Sequence, residues 1–291
     1  MKFNKIVFPV DFSARSRGAA RYVEALARRF HPAIRMVHVL PPPHYEAMSI
    51  EVSGPALAEV LAAREEHAKK QLAGFLTEEM AGFDVQRTLL DGEPGTRLAE
   101  YAAEEQADLI AISTHGYGIF RRFLLGSVAA QILHDAKCPV LTGVHMENAP
   151  PLDKIEFRDI LVALDFTPES VKVLRWAADF AQEMGARLVV AHVAPSLEGQ
   201  AGESFDPNWR DYFAASAKTS LEEMLGEVGL KDTAIVIDFG DPAHQVCELA
   251  AAERADLIVI GRGHSTEGML GRLRAKAYSI IRMAPCPVIS V

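Results

Sequence analysis

Apolar and polar positions switch between two periods along this chain, and the whole alternation is written out twice. Residues 5–10 form a short apolar run, the pattern of a strand buried on both faces. Ser13 stands where a helix cap belongs. Ala19, Tyr22, Val23, Leu26, Ala27 and Phe30 then recur at helical spacing as far as His31 and Pro32. A second strand is predicted over 34–39, after which Pro41, Pro42 and Pro43 forbid a helix and impose an extended loop. The pattern predicts a long helix over 55–80, a strand over 84–90, a turn from Gly92 to Gly95 and a helix over 95–105. A strand over 108–112, a helix over 126–135 and a last strand over 139–144 complete the set. Alternating strands and helices give a parallel sheet covered on both faces, and right-handed crossovers leave few ways to wind it.

The second half repeats the first. KIVFPVDFS (5–13) returns as DILVALDFT (159–167), and IRMVHVLP (34–41) as RLVVAHVAP (187–195). EQADLIAIS (105–113) returns as ERADLIVIG (253–261), and AKCPVLTGV (136–144) as APCPVISV (284–291). Asp11 and His38 map to Asp165 and His192, 154 residues on, whereas Asp108 and Cys138 map to Asp256 and Cys286, 148 residues on. The first copy therefore carries six extra residues before its Asp91–Pro94 turn. Such a period is too long for a solenoid and reads as a tandem pair of domains. The boundaries fall at 1–145 and 155–291, with the proline-bearing stretch 146–154 between. The expected architecture is α/β: two doubly wound, five-stranded parallel sheets, Rossmann-like. The last strands, 139–144 and 287–291, are apolar, and bare sheet edges invite pairing, so the two domains are expected to pair as a pseudo-dimer. Association of whole chains into a homo-dimer is left open.

Composition narrows the classes. At 291 residues the length suits two domains, and 49% hydrophobic content argues against disorder. A formal charge of −9 disfavours a general nucleic-acid binder, which needs a basic surface. No run approaches a membrane span, and the N-terminus lacks the pattern of a signal peptide, so a cytoplasmic protein is expected. Three cysteines, Cys138, Cys247 and Cys286, do not make a disulfide framework and read first as small buried hydrophobes. His244 and Cys247, one helical turn apart, lack a second pair of zinc ligands.

In a doubly wound sheet, ligands bind outside the carboxyl ends of the strands, where the winding reverses. In the first copy that brings Pro9, Val10 and Asp11 toward Ser113, Thr114, His115 and Gly116. The latter run opens the element Ser113-x-x-Gly116-x9-Gly126-Ser127. Glycines there let backbone amides approach an anion, and the helix opening at Gly126-Ser127 offers unpaired N–H groups and a positive dipole end. Arg121 and Arg122 lie between and add positive charge. Asp11 is placed to accept from a ribose or a base. Each feature alone is an ordinary turn or cap; together they converge on one crevice.

On these residues the chain resembles the universal stress protein family of UspA-like domains. The matching words in the first copy are IVFPVDFS, MVHVL, DLIAISTHGYGIFRRFLLGSVAAQIL and KCPVL; in the second they are ILVALDFTPES, VVAHVAP, DLIVIGRG and APCPVISV. The resemblance implies the adenine nucleotide alpha hydrolase-like fold and the nucleotide pattern Gly-x-x-Gly-x9-Gly-Ser/Thr. The first copy meets three of its four positions, with Ser113 in place of the first glycine. By resemblance, Asp11 and the Val39 backbone take the adenosine end, and Gly116, Gly126, Ser127 and the Val128 amide take the phosphates. The implied cofactor is ATP, with or without Mg2+. The second copy departs: Gly261 keeps the first position, but His264, Arg274 and Ala275 stand at the others. Weak or no ATP binding is expected there, with a different anion held by His264, Arg272, Arg274 and Lys276 as the alternative.

No catalytic constellation stands out. His115 is the nearest candidate base in the first copy, and there is no P-loop and no Gly-x-Gly-x-x-Gly after the first strand. Two functions stay open: an ATP-binding stress-response regulator, and a nucleotide-free scaffold acting through dimerisation and protein partners. A third, an enzyme of the wider nucleotide-alpha-hydrolase class, has no acid, base or activating motif behind it.

Overall fold

A computed structural model describes residues 1–42, 55–114, 125–144, 146, 149–194, 196, 209–262 and 270–291, with backbone alone at 55–56 and 270–275. Contacts divide the chain into two compact units. One holds Lys2–Val140 and Met146–Ile155; the other holds Met1, Leu141–His145 and Glu156–Val291.

The first repeat runs β1 (Lys5–Pro9), α1 (Ala14–Phe30), β2 (Ala33–Leu40), α2 (Pro55–Gly74), β3 (Val85–Asp91), α3 (Pro94–Glu104), β4 (Leu109–Ala111), α4 (Ser127–Asp135) and β5 (Val140–Thr142). Its strands lie in the order β3-β2-β1-β4-β5. β1 pairs in parallel with both β2 and β4, so the winding reverses at β1. The second repeat runs β6 (Asp159–Leu164), α5 (Ser170–Met184), β7 (Arg187–Ala194), α6 (Trp209–Glu227), β8 (Ala234–Phe239), α7 (Pro242–Ala252), β9 (Leu257–Ile260), α8 (Leu270–Met283) and β10 (Val288–Ser290). Its order is β10-β9-β6-β7-β8, the same winding, again with parallel pairs on both sides of the first strand. This is the Rossmann-like α/β architecture expected of each copy.

Central strands are buried on both faces. Ile6, Val7, Phe8, Leu109 and Ile110 are wholly excluded from solvent, as are Leu161, Val162, Ile258 and Val259. The first helix covers this layer with Ala19, Val23, Leu26 and Ala27. Ser13 caps it by accepting from the Ser16 amide, and His31 closes it in the left-handed conformation. Arg28 and Arg29 in its last turn complement the dipole.

One helix ends earlier than its pattern suggests. α2 stops at Gly74, six residues short of the expected end, and Leu76 takes a φ of +56°. The Arg87 side chain on β3 donates to the carbonyls of Leu72 and Phe75, each at 3.0 Å, and so satisfies acceptors that another helical turn would have used. The apolar spacing continues past this point because Phe75, Leu76 and Met80 remain buried in the turns that follow.

At the amino ends of the strands each repeat is clamped by an aspartate. Asp108 Oδ2 accepts from the amides of Asn4 (2.7 Å) and Lys5 (2.9 Å); Asp256 Oδ2 accepts from those of Arg158 (2.9 Å) and Asp159 (3.0 Å). Beside the clamp one charge is reversed, Lys5 being replaced by Asp159, while the glutamate is kept. In the first repeat Lys5 and Arg35 grip Glu105, and the Lys5 hydrogen bond holds that carboxyl below its ordinary range. In the second, Arg187 bridges Asp159 and Glu253.

The segment joining the repeats is anchored on the first. Met146 and Ala149 are buried, and the Arg21 guanidinium on α1 donates to the Ala149 and Pro150 carbonyls.

Candidate functional site

The carboxyl end of β1 is built around Asp11. Its Oδ1 accepts from the Ser13 amide (3.1 Å), the Ser13 hydroxyl (2.6 Å) and the Ser16 hydroxyl (2.5 Å). Ser16 Oγ in turn accepts from the Asp11 amide at 3.2 Å. These contacts fold the chain sharply from β1 into α1 and hold the half-buried carboxylate in one orientation. All three bonds fall on Oδ1. Among the described residues Oδ2 has no partner, which leaves an acceptor for a ligand hydroxyl.

Val39 sits two positions past the end of β1. The last paired residues are Pro9 and Val37, and the Val10 amide donates to the Val37 carbonyl at 2.8 Å. Backbone polar groups alternate sides along a strand, so those of Val39 face the same way as those of Val37. Leu40 obeys the same alternation: it faces β3, where its carbonyl accepts from the Gly92 amide at 3.1 Å. β1 has already ended opposite Val39. Its N–H and C=O therefore face the crevice side, next to Asp11.

The far wall is the end of β4 and the start of α4. Ser113 and Thr114 are buried there. The Gly126 amide donates to the Thr114 carbonyl at 2.8 Å, which ties the helix start to the strand end. Gly126 is the N-cap, with extended dihedrals and no side-chain cap. The first intrahelical donor is Ala130, to the Gly126 carbonyl at 2.9 Å. The amides of Ser127, Val128 and Ala129 thus lack helical acceptors. With a glycine cap and, among the described residues, no carboxylate bonded to these amides, the end of α4 fits an anionic group such as a phosphate. Of the expected site residues, Pro9, Val10, Asp11, Val39, Ser113, Gly126, Ser127 and Val128 all lie at the carboxyl ends of β1, β2 and β4 or at the start of α4. His115, Gly116, Arg121 and Arg122 lie outside the described residues.

Two residues that the motif reading passed over complete this end of the sheet. His38 Nδ1 donates to the Val10 carbonyl at 2.7 Å. The Phe12 ring packs on the His38 ring at 4.4 Å and edge-on to Phe75 at 5.3 Å, with the Arg17 guanidinium over Phe75 at 4.8 Å. Phe12 has a φ of +63°, a conformation that side chains other than glycine rarely take. The signal was present in the repeat itself, because Phe12 recurs as Phe166 and His38 as His192.

The second repeat keeps that turn. Asp165 Oδ1 accepts from the Thr167 amide (3.2 Å), the Thr167 hydroxyl (2.8 Å) and the Ser170 hydroxyl (3.1 Å). His192 Nδ1 donates to the Leu164 carbonyl at 2.8 Å, and Phe166, at a φ of +58°, packs on its ring at 4.0 Å. Burial holds the His192 imidazole below its ordinary pKa, against the opposing pull of the Leu164 carbonyl and Asp165. The opposite wall is different. α8 begins at Leu270, so Arg274, the counterpart of Gly126, lies in its second turn. A backbone amide at that depth donates to the carbonyl four residues back and is unavailable to an anion. His264 lies outside the described residues.

The Cys247 thiol is buried with Sγ 3.8 Å from the Ile280 carbonyl, while His244 is exposed beside Glu248. Burial raises Cys247 to about 11 and Cys286 to about 12, so neither is a ready thiolate at neutral pH. Among the described residues no group of three or more His, Cys, Asp or Glu side chains is arranged to hold a metal ion, and no helix is long and apolar enough to cross a membrane.

Comparison with known proteins agrees with the repeated architecture. The Universal stress protein family profile matches residues 2–142 and 156–291, one match per repeat. A universal stress protein of Mycolicibacterium smegmatis is 26% identical over 298 aligned positions, covering 98% of this chain and 96% of the relative. One from Methanocaldococcus jannaschii is 32% identical over 139 residues, 48% of this chain and 81% of the relative. Among solved structures, a universal stress protein from Archaeoglobus fulgidus superposes with a TM-score of 0.70 at 21% identity, covering 99% of this chain and 96% of that one. With both halves matched and a relative aligned along nearly the whole length, this chain belongs to the universal stress protein family, as a tandem two-domain member.

Proposed function

We propose that the first repeat binds ATP at the carboxyl ends of β1, β2 and β4, and that the protein acts as a nucleotide-binding stress-response regulator. In this reading Asp11 Oδ2 accepts from the ribose and the Val39 backbone pairs with the adenine edge. Gly116, Gly126, Ser127 and the Val128 amide hold the phosphates, with Mg2+ optional. Pro9, Val10 and Ser113 line the same crevice, and His115 is assigned to it from its place in the motif. The observation that carries the proposal is the start of α4. A glycine N-cap and three amides without helical acceptors stand across the sheet from an oriented carboxylate. The motif spacing Ser113-x-x-Gly116-x9-Gly126-Ser127 adds support.

A nucleotide-free role suits the second repeat. Its equivalent helix starts five residues earlier and leaves no amide unpaired at the position of Gly126. We infer that this half serves structure and protein partners, and that the protein works in the cytoplasm without being a dedicated ATP-hydrolysing enzyme.

The test is titration calorimetry of the full chain with ATP and Mg2+, wild type beside Gly126→Arg, the substitution that copies Arg274. One ATP per chain, lost in the variant, is the expected result. Absence of binding to the wild type overturns the nucleotide reading in favour of the scaffold. Two sites per chain, or unchanged binding in Gly126→Arg, overturns the assignment to the first repeat.

A further inference from the structure

The nucleotide pattern says nothing about what holds Asp11 and Val39 in register with each other. β1 has ended before Asp11 and opposite Val39, so although Val39 stays paired with Leu90 of β3, the β1–β2 ladder no longer ties these two residues to each other. The geometry points to His38 and Phe12 as positioning residues that lock the adenosine end of the site. This inference rests on the nucleotide reading of the first repeat.

Both backbone polar groups of Val10, the residue before Asp11, are tied to β2. Its amide donates to the Val37 carbonyl, and its carbonyl accepts from His38 Nδ1 at 2.7 Å. His38 is itself the residue before Val39. One side chain therefore joins the peptide that leads into the Asp11 carboxylate to the peptide that leads into the Val39 backbone. A carbonyl can only accept, so Nδ1 carries the proton and the ring is fixed in one orientation. Phe12 presses on that ring from the next residue along the turn.

Phe12 also explains a cost. Its left-handed φ of +63° is unfavourable for an aromatic residue. Glycine would remove the strain, and glycine is absent from this position in both repeats. The ring offsets the strain by packing on His38 and edge-on against Phe75, so the turn is held by tertiary contact rather than by local preference. Strained backbone held from outside is the usual form of a preorganised ligand contact. The second repeat shows that the lock forms as a unit, since Phe166, His192 and Leu164 repeat the ring contact and the histidine–carbonyl hydrogen bond.

The test measures ATP affinity of the full chain by calorimetry for wild type, His38→Leu, His38→Asn and Phe12→Ala, with melting curves to confirm folding. His38→Leu removes the donor and is expected to weaken ATP about tenfold, what one such hydrogen bond contributes. His38→Asn keeps a side-chain N–H within reach of the Val10 carbonyl and is expected to restore most of the affinity. That rescue separates positioning from general packing, because both variants lose the ring. Amide exchange at Ser13 should quicken in His38→Leu and stay slow in His38→Asn. Should His38→Leu not fold, Phe12→Ala, at a half-buried position, is expected to weaken ATP severalfold by the same route. If wild type binds ATP and either folded His38→Leu or Phe12→Ala binds it equally well, the lock is refuted while the nucleotide reading stands. Equal weakening by His38→Leu and His38→Asn also refutes it, since the hydrogen bond would then carry nothing. If wild type binds no ATP, the nucleotide reading falls and the inference falls with it.

Discussion

The carboxyl ends of the two repeats share one wall and differ in the other. On the β1 and β6 side they are nearly copies: an aspartate braced by two hydroxyls, a left-handed phenylalanine after it, and a histidine stacked on that ring. On the β4 and β9 side they diverge by where a helix begins. α4 opens at Ser127 behind a glycine cap, whereas α8 opens at Leu270 and carries the equivalent position into its interior. Amide donors exist in both; in one repeat they are left over for a ligand, in the other the helix consumes them. An aspartate turn kept in the half whose helix carries the Gly126 position in its second turn is therefore part of the fold's construction first. The distinguishing feature of the first half lies in the helix start.

The comparison can be sharpened at the opposite end of the sheets, where the largest stability effects are expected. Asp108→Ala and Asp256→Ala each strip the shared acceptor from two backbone amides, at an expected cost of about 2 kcal/mol apiece. Separate melting transitions read by domain-specific probes should each move with their own aspartate. Equal shifts of both transitions by either variant would break the picture of two independently clamped units.

A smaller effect is expected where the repeats solve one packing problem differently. A Cβ on Gly95 would stand 2.5 Å from Gln131 Cβ and 2.7 Å from its Cγ. The second repeat holds Ala243 and Ser279 at the matching positions, a larger residue on one helix against a smaller one on the other. Gly95→Ala is expected to destabilise by roughly 1–2 kcal/mol through overpacking. Adding Gln131→Ser should recover most of the loss in denaturant titrations; purely additive losses would show that the two positions do not compensate.

The smallest effect concerns pH. Burial lowers the His192 pKa from its ordinary 6.5, so the unfolded chain takes up the proton more readily than the folded one. The neutral ring's contribution to stability is complete above that ordinary value and is lost as pH falls through the lowered one. His192→Asn, which keeps a donor for the Leu164 carbonyl and does not titrate, should flatten that slope in unfolding measured across mildly acidic pH. A slope identical to wild type would assign the acid sensitivity to other groups.

Much of the fold was legible because burial and periodicity are local signals. Strands such as 5–10 and the α1 stripe from Ala19 to Ala27 read directly from spacing. The end of α2 was not legible, because Gly74 and Leu76 are stopped by Arg87, a side chain eleven residues beyond Leu76 that caps carbonyls from a neighbouring strand. The candidate site was legible as a place, because Asp11, Gly126 and Ser127 lie, as their residue types suggested, at a strand-to-helix turn and a helix start. His38 escaped because its role is a hydrogen bond to Val10, 28 residues away. The sequence showed that His38 recurs, and nothing local to it showed why.

By itself the sequence determined two tandem α/β repeats, their winding and the end of the sheet that holds the crevice, since apolar periodicity and the handedness of crossovers admit few alternatives. Tertiary structure decided the rest. It ended β1 short of Val39, so that backbone groups face the crevice. It held Phe12 in a conformation its own chemistry disfavours, and it started one helix at Ser127 and its counterpart at Leu270. Each of those outcomes depends on contacts between residues distant in the chain, and such contacts exist only once the chain has folded.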